Sequence, residues 1–382
     1  MKIVYCLNSI RYTGGIQRVT IVKANALAEI DGNDIYVVVT DNKEGPIVQA
    51  LSPKVHLIDL DVNYYYKDKE RSPLLNHLVV KYKNRTHKKK LNRVLNDLNP
   101  DIVISVGTSE KYLLPSIKHK QWKIIREFHH VRNNYRAKNA RSLLDLMLAP
   151  IIDFYDFGFK EKKYDTIVVL TQEDKVTNWN GWKNVVVMPN PVSFRSDVAS
   201  YLSEKSIVAI GRLDRIKNFS SLINAFKLVV LRHDDWSLKI YGNGELENEL
   251  IDQIRQLGLE NRVFLMGFTN NIKGVLCKSS IFALTSYTEG FPMVLLEAME
   301  CGVPPVSYQC PCGPKEIITD GKDGFLVPLN DEQMLAERIC QLIEDKELRI
   351  RMGAAAKERA KYYQVDQIAQ RWMKLFNEVI NS

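Results

Sequence analysis

The stretch that most constrains this chain runs from Ile281 to Tyr308 and reads IFALTSYTEGFPMVLLEAMECGVPPVSY. Ile281 to Thr285 is a short apolar run of the kind that forms a buried strand, and the polar Ser286 to Gly290 breaks it. Pro292 suits the first turn of a helix, where its missing N–H costs nothing, and Gly302 suits the position just past the end. Val303 and Val306 then open a second strand. The order strand, loop, helix, strand predicts a βαβ crossover whose loop lies at the carboxyl end of a strand, where open parallel sheets hold their ligands.

Two acids frame that loop, Glu289 just before the helix and Glu297 about a turn and a half inside it. Between them the N–H groups of Gly290, Phe291, Met293 and Val294 are the donors of a helix start, able to hold an anion or a polyol. A carboxylate only accepts hydrogen bonds and can take two adjacent hydroxyls, and vicinal diols belong to sugars and ribose. The spacing alone describes equally well a loop acid and a solvated helix residue. The whole run EGFPMVLLEAMECGVPPVS, however, resembles the signature of the retaining glycosyltransferases of family four, and Gly321 to Pro328 (GKDGFLVP) resembles that family's next landmark at its usual distance. The resemblance implies an α/β chain of GT-B fold, two Rossmann-like domains facing each other across a cleft. It further implies that Glu289 contacts the donor sugar, that Glu297 contacts the ribose hydroxyls, and that the backbone at Gly290, Phe291, Pro292, Met293 and Val294 holds sugar and phosphate.

The remaining motifs of the carboxyl-terminal half are weaker when taken singly. Arg212 and Lys217 lie five apart in GRLDRIKN, between a strand at Ser206 to Ile210 and a helix at Phe219 to Leu231. Two fixed cations at a strand end can neutralise a diphosphate. Basic pairs are common, and it is the resemblance that assigns these two to the donor diphosphate. Gly242, Asn243 and Gly244 follow a strand, but Glu245, Glu247 and Glu249 come next and would repel a pyrophosphate, so this turn reads as scaffolding beside the base. The resemblance also implies that backbone near Gly267 and Phe268 reads the base.

The amino-terminal half opens with a strand at Lys2 to Leu7, a loop containing Thr13, Gly14 and Gly15, and a helix at Ile16 to Ile30. No G-x-G-x-x-G pattern is present, so the glycine pair is either a plain turn or a place where backbone approaches a ligand. The resembled family keeps such a pair near donor phosphate and acceptor. Further strands are expected at Tyr36 to Thr40, Val55 to Leu60, Asp101 to Val106, Lys123 to Phe128 and Thr166 to Thr171. The last of these closes the first sheet, and Val185 to Pro191 forms the exit into a linker. Lys123 to Phe128 ends in two histidines; in the resembled family one at this place hydrogen-bonds a sugar hydroxyl, with His129 the better match and His130 its rival. Arg126, Arg132 and Arg136 add positive charge near the acceptor side. Leu143 to Phe159 reads as a core helix or an acceptor-binding surface.

A length of 382 residues suits two domains. We expect residues 1–190 with 365–382 to form an amino-terminal acceptor-binding domain, and 191–364 a nucleotide-sugar-binding domain. Residues 1–190 carry 30 Lys and Arg against 20 Asp and Glu, and residues 191–382 carry 23 against 25, for net charges of +10 and −2. Seven of the basic residues fall between Lys81 and Arg93 with no acid among them, on a stretch with helical spacing of apolar residues. That pattern fits an anionic membrane surface. Nucleic acid is not expected, since interleaved aromatics and a recognisable binding module are missing. No apolar run reaches the roughly 18 residues of a membrane span, and the start lacks the build of a leader, so the expected place is the cytosol, peripheral to the inner face of the cytoplasmic membrane. The six cysteines are expected as free thiols, because Cys310 and Cys312 form a single pair with no second pair to complete a zinc site.

The expected reaction is transfer of a hexose, with retention, from a nucleotide diphosphate sugar to a hydroxyl of a lipid-linked or polysaccharide acceptor. A UDP-hexose is the favoured donor because Cys310 to Ile317 (CPCGPKEI) looks like family members that use one. The leaving phosphate would take the acceptor proton, with no metal and no cofactor. Two alternatives stand beside this: a UDP-sugar epimerase on the same fold, and a nucleic-acid-binding protein without enzymatic activity.

Overall fold

The computed structural model describes residues 1–11, 14–41, 49–64, 73–107, 110–119, 121–129 and 161–382, with 73–78 by backbone alone. The chain divides into two compact units. Unit 1 comprises Met1–Leu170, Asp174–Pro191 and Val365–Ser382; unit 2 comprises Thr171–Glu173 and Val192–Gln364.

Unit 1 is built on a seven-stranded parallel sheet. Its strands are β1 (Lys2–Leu7), β2 (Asp34–Val39), β3 (Val55–Asp59), β4 (Ile102–Ser105), β5 (Lys123–Glu127), β6 (Thr166–Val169) and β7 (Val185–Val187), in the spatial order β3-β2-β1-β4-β5-β6-β7. The near-continuous apolar reading of these strands has a simple cause: both faces are covered. Along β1, Ile3, Tyr5 and Leu7 belong to one core cluster and Val4 and Cys6 to another. The first cluster is closed by helix α1 (Gly15–Ala28) together with the terminal helix α12 (Val365–Asn381). Along α12 the buried residues Ile368, Ala369, Trp372, Leu375, Phe376 and Val379 fall on one stripe, as a 3.6-residue period requires. The second cluster takes in Leu91 and Leu95 from α2 (Pro73–Leu98), which is one helix carrying the basic run.

One expectation needs correction here. Val185–Val187 is not the exit into a linker but the edge strand β7, paired in parallel with β6 through Ile167↔Val185 to Val169↔Val187. The sheet therefore closes one strand later than the sequence suggests. Three β-branched residues in a row suffice when a neighbouring strand is already in place.

Unit 2 holds a six-stranded parallel sheet in the order β10-β9-β8-β11-β12-β13. These strands are β8 (Ser206–Ile210), β9 (Ser237–Tyr241), β10 (Val263–Leu265), β11 (Ile281–Leu284), β12 (Pro305–Tyr308) and β13 (Phe325–Val327). Strands β8 and β11 are neighbours, with Ile207 opposite Ile281 and Val208 opposite Phe282. Successive strands from β8 run outward on one side and from β11 on the other, so the topological switch point lies between these two. Beside it stands α8 (Met293–Glu300), of which Leu295 to Glu300 are all buried. Helix α8 starts one residue later than the sequence implies, because Pro292 is the N-cap in extended conformation and not part of the first turn.

The turn after β9 is set by close backbone approach. A Cβ on Gly242, whose φ is +145°, would sit 1.8 Å from the carbonyl oxygen of Gly211. Gly242 N–H in turn donates to the Gly267 carbonyl at 2.9 Å, and Leu213 N–H to the Asn243 carbonyl at 3.0 Å. The Gly-Asn-Gly turn thus braces the loop that carries Arg212. Replacing Gly242 by Ala should cost unit 2 about 3 kcal/mol or more in chemical denaturation. Gly258→Ala, at φ +65° with nothing within 4 Å, should cost about 1 kcal/mol. Equal losses for the two would show that the close approach does not matter.

Candidate functional site

The loops after β8 and β11 meet at the switch point. Tyr287 N–H donates to the Ile216 carbonyl at 2.8 Å and the Thr285 hydroxyl to the Lys217 carbonyl at 3.1 Å. These bonds place the Lys217 ammonium 2.7 Å from Glu289 Oε1, with both side chains largely buried. The Ser286 hydroxyl donates to the same oxygen at 2.6 Å. Among the described residues no donor meets Glu289 Oε2. Glu289 N–H is anchored to the Pro311 carbonyl at 3.4 Å, which brings in the loop after β12. Cys310 in that loop is fully buried, and burial, with the Glu289 charge adding to it, pushes its thiol up to about 12.

Arg212 is paired at its head but exposed to solvent. Its guanidinium pairs with Asp214 Oδ2 at 2.9 Å, yet the side chain is 76% exposed. Asp214 also accepts from Lys217 N–H at 3.1 Å, so one acid positions both cations of GRLDRIKN. Past Glu289, Gly290 is partly exposed, Phe291 is buried against Tyr363 with ring centroids 5.8 Å apart, and Met293 and Val294 open α8. Among the described residues no acceptor meets the N–H groups of Met293 and Val294, which the helix start leaves over, or those of Gly290 and Phe291, which precede the cap. Gly267, at φ +69°, and the half-exposed Phe268 follow β10.

Glu297 is not a solvated helix residue. It is 1% exposed and accepts from the Ser193 hydroxyl at 2.5 Å. One turn on, Glu300 accepts from Ser196 N–H at 2.8 Å, and Ser200 N–H donates to the Cys301 carbonyl at 2.8 Å. The segment from Ser193 to Ser200 therefore runs along α8 and gives each of its buried acids a hydrogen bond, while Glu300 Oε2 stays buried with no partner among the described residues.

In unit 1 the predicted residues occupy strand ends. Gly14 is the N-cap of α1 and Gly15 its first residue, with nothing within 4 Å of where a Gly15 Cβ would lie. His129 follows β5; its side chain is 4% exposed, and Nε2 lies 3.7 Å from Glu127 Oε1. Burial holds the His129 imidazole below its ordinary range and outweighs the opposing pull of Glu127. Glu127 itself forms a buried ion pair with Lys23 of α1, whose ammonium lies 4.8 Å from the centre of the Trp372 ring on α12. Burial alone would raise the Glu127 carboxyl, but Lys23 and His129 bring it down to about 2. His130, Arg132, Arg136, Thr13 and Leu143 to Phe159 lie outside the described residues.

Sequence reading missed the supports of these groups. Ser286, Ser193 and Asp214 carried no signal beyond standing within four residues of a motif or boundary, and the Lys23–Glu127 pair spans 104 residues. One group of metal-binding types comes together among the described residues, His233, Cys340 and Glu344, with ligand atoms within 4.8 Å of one another. Glu344 is already engaged by Arg232 at 2.6 Å and His233 at 2.9 Å, on elements apart from the Glu289 loop.

Comparison with known proteins agrees with the fold. A crystal structure of a S. aureus TarM mutant with UDP and α-GlcNAc-glycerol superposes with a TM-score of 0.78 over 98% of this chain and 99% of that one, at 17% identity. The two parallel-sheet Rossmann-like units have the fold of that GT-B glycosyltransferase structure. More narrowly, residues 193–359 match the family described as "Glycosyl transferases group 1", so unit 2 carries a group 1 glycosyl transferase domain. An uncharacterized glycosyltransferase of Haemophilus influenzae is 28% identical over 97% of this chain and 98% of its own length. A Campylobacter jejuni α-1,4-N-acetyl-D-galactosaminyltransferase acting on an undecaprenyl diphosphate-linked GalNAc acceptor is 32% identical over 57% of this chain and 61% of its own length.

The buried pair in unit 1 gives a stability prediction. Lys23→Met leaves the Glu127 charge buried beside only His129 and should cost about 3–5 kcal/mol in denaturant unfolding, most of it recovered in the Lys23→Met, Glu127→Gln double variant. Because the folded Glu127 titrates below its ordinary 4.5, its contribution is complete above that pH and disappears as pH falls toward about 2. Glu127→Gln should flatten that part of the acid unfolding curve; an unchanged curve would show that Glu127 does not carry it.

Proposed function

We propose that this chain is a retaining glycosyltransferase of family four that moves a hexose from a UDP-sugar to a hydroxyl of a lipid-linked or polysaccharide acceptor. One observation carries the reading: Glu289, in the loop that leads into α8, holds Lys217 and Ser286 on one carboxylate oxygen and leaves the other without a donor among the described residues. That oxygen can accept a sugar hydroxyl while the N–H groups at the start of α8 and the Arg212 and Lys217 cations face a diphosphate. Departure of a nucleoside diphosphate builds negative charge on the leaving oxygen, and these donors are already in place to stabilise it. The leaving phosphate would take the proton of the attacking hydroxyl, on the same face of the sugar.

Glu297, fixed by Ser193, is assigned to the ribose hydroxyls, and backbone at Gly267 and Phe268 to the base. In unit 1, Gly14 and Gly15 are assigned to close backbone approach by ligand, and His129, kept neutral, to hydrogen bonding of a sugar hydroxyl. Unit 1, with residues 365–382, is taken as the acceptor-binding domain and unit 2 as the donor domain. The UDP in the TarM structure and the lipid-linked acceptor of the Campylobacter relative support the donor and acceptor classes. Among the described residues no helix is long and apolar enough to cross a membrane. A groove of about 930 Å³ on α2, lined by Tyr82, Arg85, Lys88, Lys89 and Ser116 among others, offers cations to an anionic lipid surface on the cytoplasmic side.

A donor panel with mass detection of product tests the reaction. Glu289→Ala should lower kcat by about 10²–10³-fold while UDP affinity by calorimetry changes little, and Arg212→Ala should weaken both. Wild-type turnover in Glu289→Ala, or donor consumption without acceptor as an epimerase would show, overturns it. Vesicle sedimentation tests the membrane surface: Lys88→Glu with Lys89→Glu should reduce binding to anionic vesicles by tenfold or more, at about 1 kcal/mol per charge, and equal binding to neutral vesicles would remove the idea.

A further inference from the structure

Two thiols meet at the far end of α8 from the candidate site. Cys277 closes the short helix α7 (Ile272–Leu276) and Cys301 closes α8, and their Sγ atoms lie 3.4 Å apart. Cys301 is fully buried; Cys277 is partly exposed. The segment that runs along α8 covers them as well, with the Ser196 hydroxyl 3.5 Å and the Val198 carbonyl 3.7 Å from Cys277 Sγ. Burial, together with its hydrogen bond from Cys277, pushes the Cys301 thiol well above its ordinary range. Cys277 is thus the thiol an outside reagent reaches, and Cys301 the one placed to respond. The other four cysteines, Cys6, Cys310, Cys312 and Cys340, are buried.

We propose that Cys277 and Cys301 form an oxidisable dithiol, a modification site at which an intrachain disulfide ties the carboxyl ends of α7 and α8 together. The oxidant is a small-molecule disulfide, RSSR. The Cys277 thiolate attacks one of its sulfurs, forming a mixed disulfide and releasing one thiolate, which takes up a proton. Cys301 loses its proton and attacks Cys277 Sγ, forming the intrachain bond and displacing the second RS⁻. Two protein thiols are oxidised, RSSR is reduced, and two RSH leave with the two protons. The sulfurs must close from 3.4 Å to about 2.05 Å.

The test uses the full chain with oxidised glutathione, followed by alkylation in denaturant and mass analysis. The expected product is about 2 Da lighter, has four alkylatable cysteines instead of six, and yields under non-reducing digestion one linked pair holding Cys277 and Cys301, lost on adding dithiothreitol. Cys277→Ser should abolish the link and leave Cys301 unmodified. Cys301→Ala should leave a stable glutathione adduct on Cys277; should that variant fail to fold, Cys277→Ser alone decides. A link between Cys310 and Cys312 instead, a lasting glutathione adduct on Cys277 of the unmutated chain, or no reaction at all would overturn the proposal.

Discussion

The pairing of β8 with β11 is the constraint from which the candidate site follows. These strands stand more than seventy residues apart in the chain, yet Ile207 and Val208 lie directly opposite Ile281 and Phe282. Neither strand end has chemistry of its own to offer. Brought side by side, they deliver a lysine from one loop onto a glutamate from the other, and two backbone-directed bonds, from Tyr287 and Thr285, fix the distance at which they meet. Both ties end on main-chain carbonyls, one from the Tyr287 N–H and one from the Thr285 hydroxyl, so the Lys217–Glu289 pair is not what joins the two loops.

The same economy appears along α8. Carboxylates at 297 and 300 would be costly inside a protein without partners, and the strand of chain from Ser193 to Ser200 provides them one after another. That segment gives each buried acid one donor, the Ser193 hydroxyl and the Ser196 N–H, and leaves Glu300 Oε2 without one among the described residues. It also explains why a helix buried almost all round can contain two acids in eight residues.

Much of this architecture can be read from local pattern. The βαβ unit at Ile281 to Tyr308 is visible because its punctuation is local: an apolar run, a polar break, a proline and a glycine within one crossover. Arg212 and Lys217 stand out for the same reason. Lys23 does not, since VTIVKANALA offers no hint that its one cation points inward, and the acid that justifies it comes a hundred residues later. Edge strand β7 escaped notice because three valines beside Pro189-type turn chemistry at Met188 to Pro191 read as an ending, and only the presence of β6 makes them a strand. Ser193 and Ser286 are invisible to pattern altogether, small hydroxyls whose value lies in what they stand next to.

Unit 1 is assembled from both ends of the chain, and Trp372 and Phe376 complete the cluster begun by Ile3, Tyr5 and Leu27. During synthesis, the apolar side of α1 must therefore wait for the whole of unit 2 to be translated before its cover emerges, about 10–30 s at ordinary elongation rates. For that interval the nascent amino-terminal half is a client for whatever shields exposed apolar surface at the ribosome, and a stop codon a few turns early would leave it one for good.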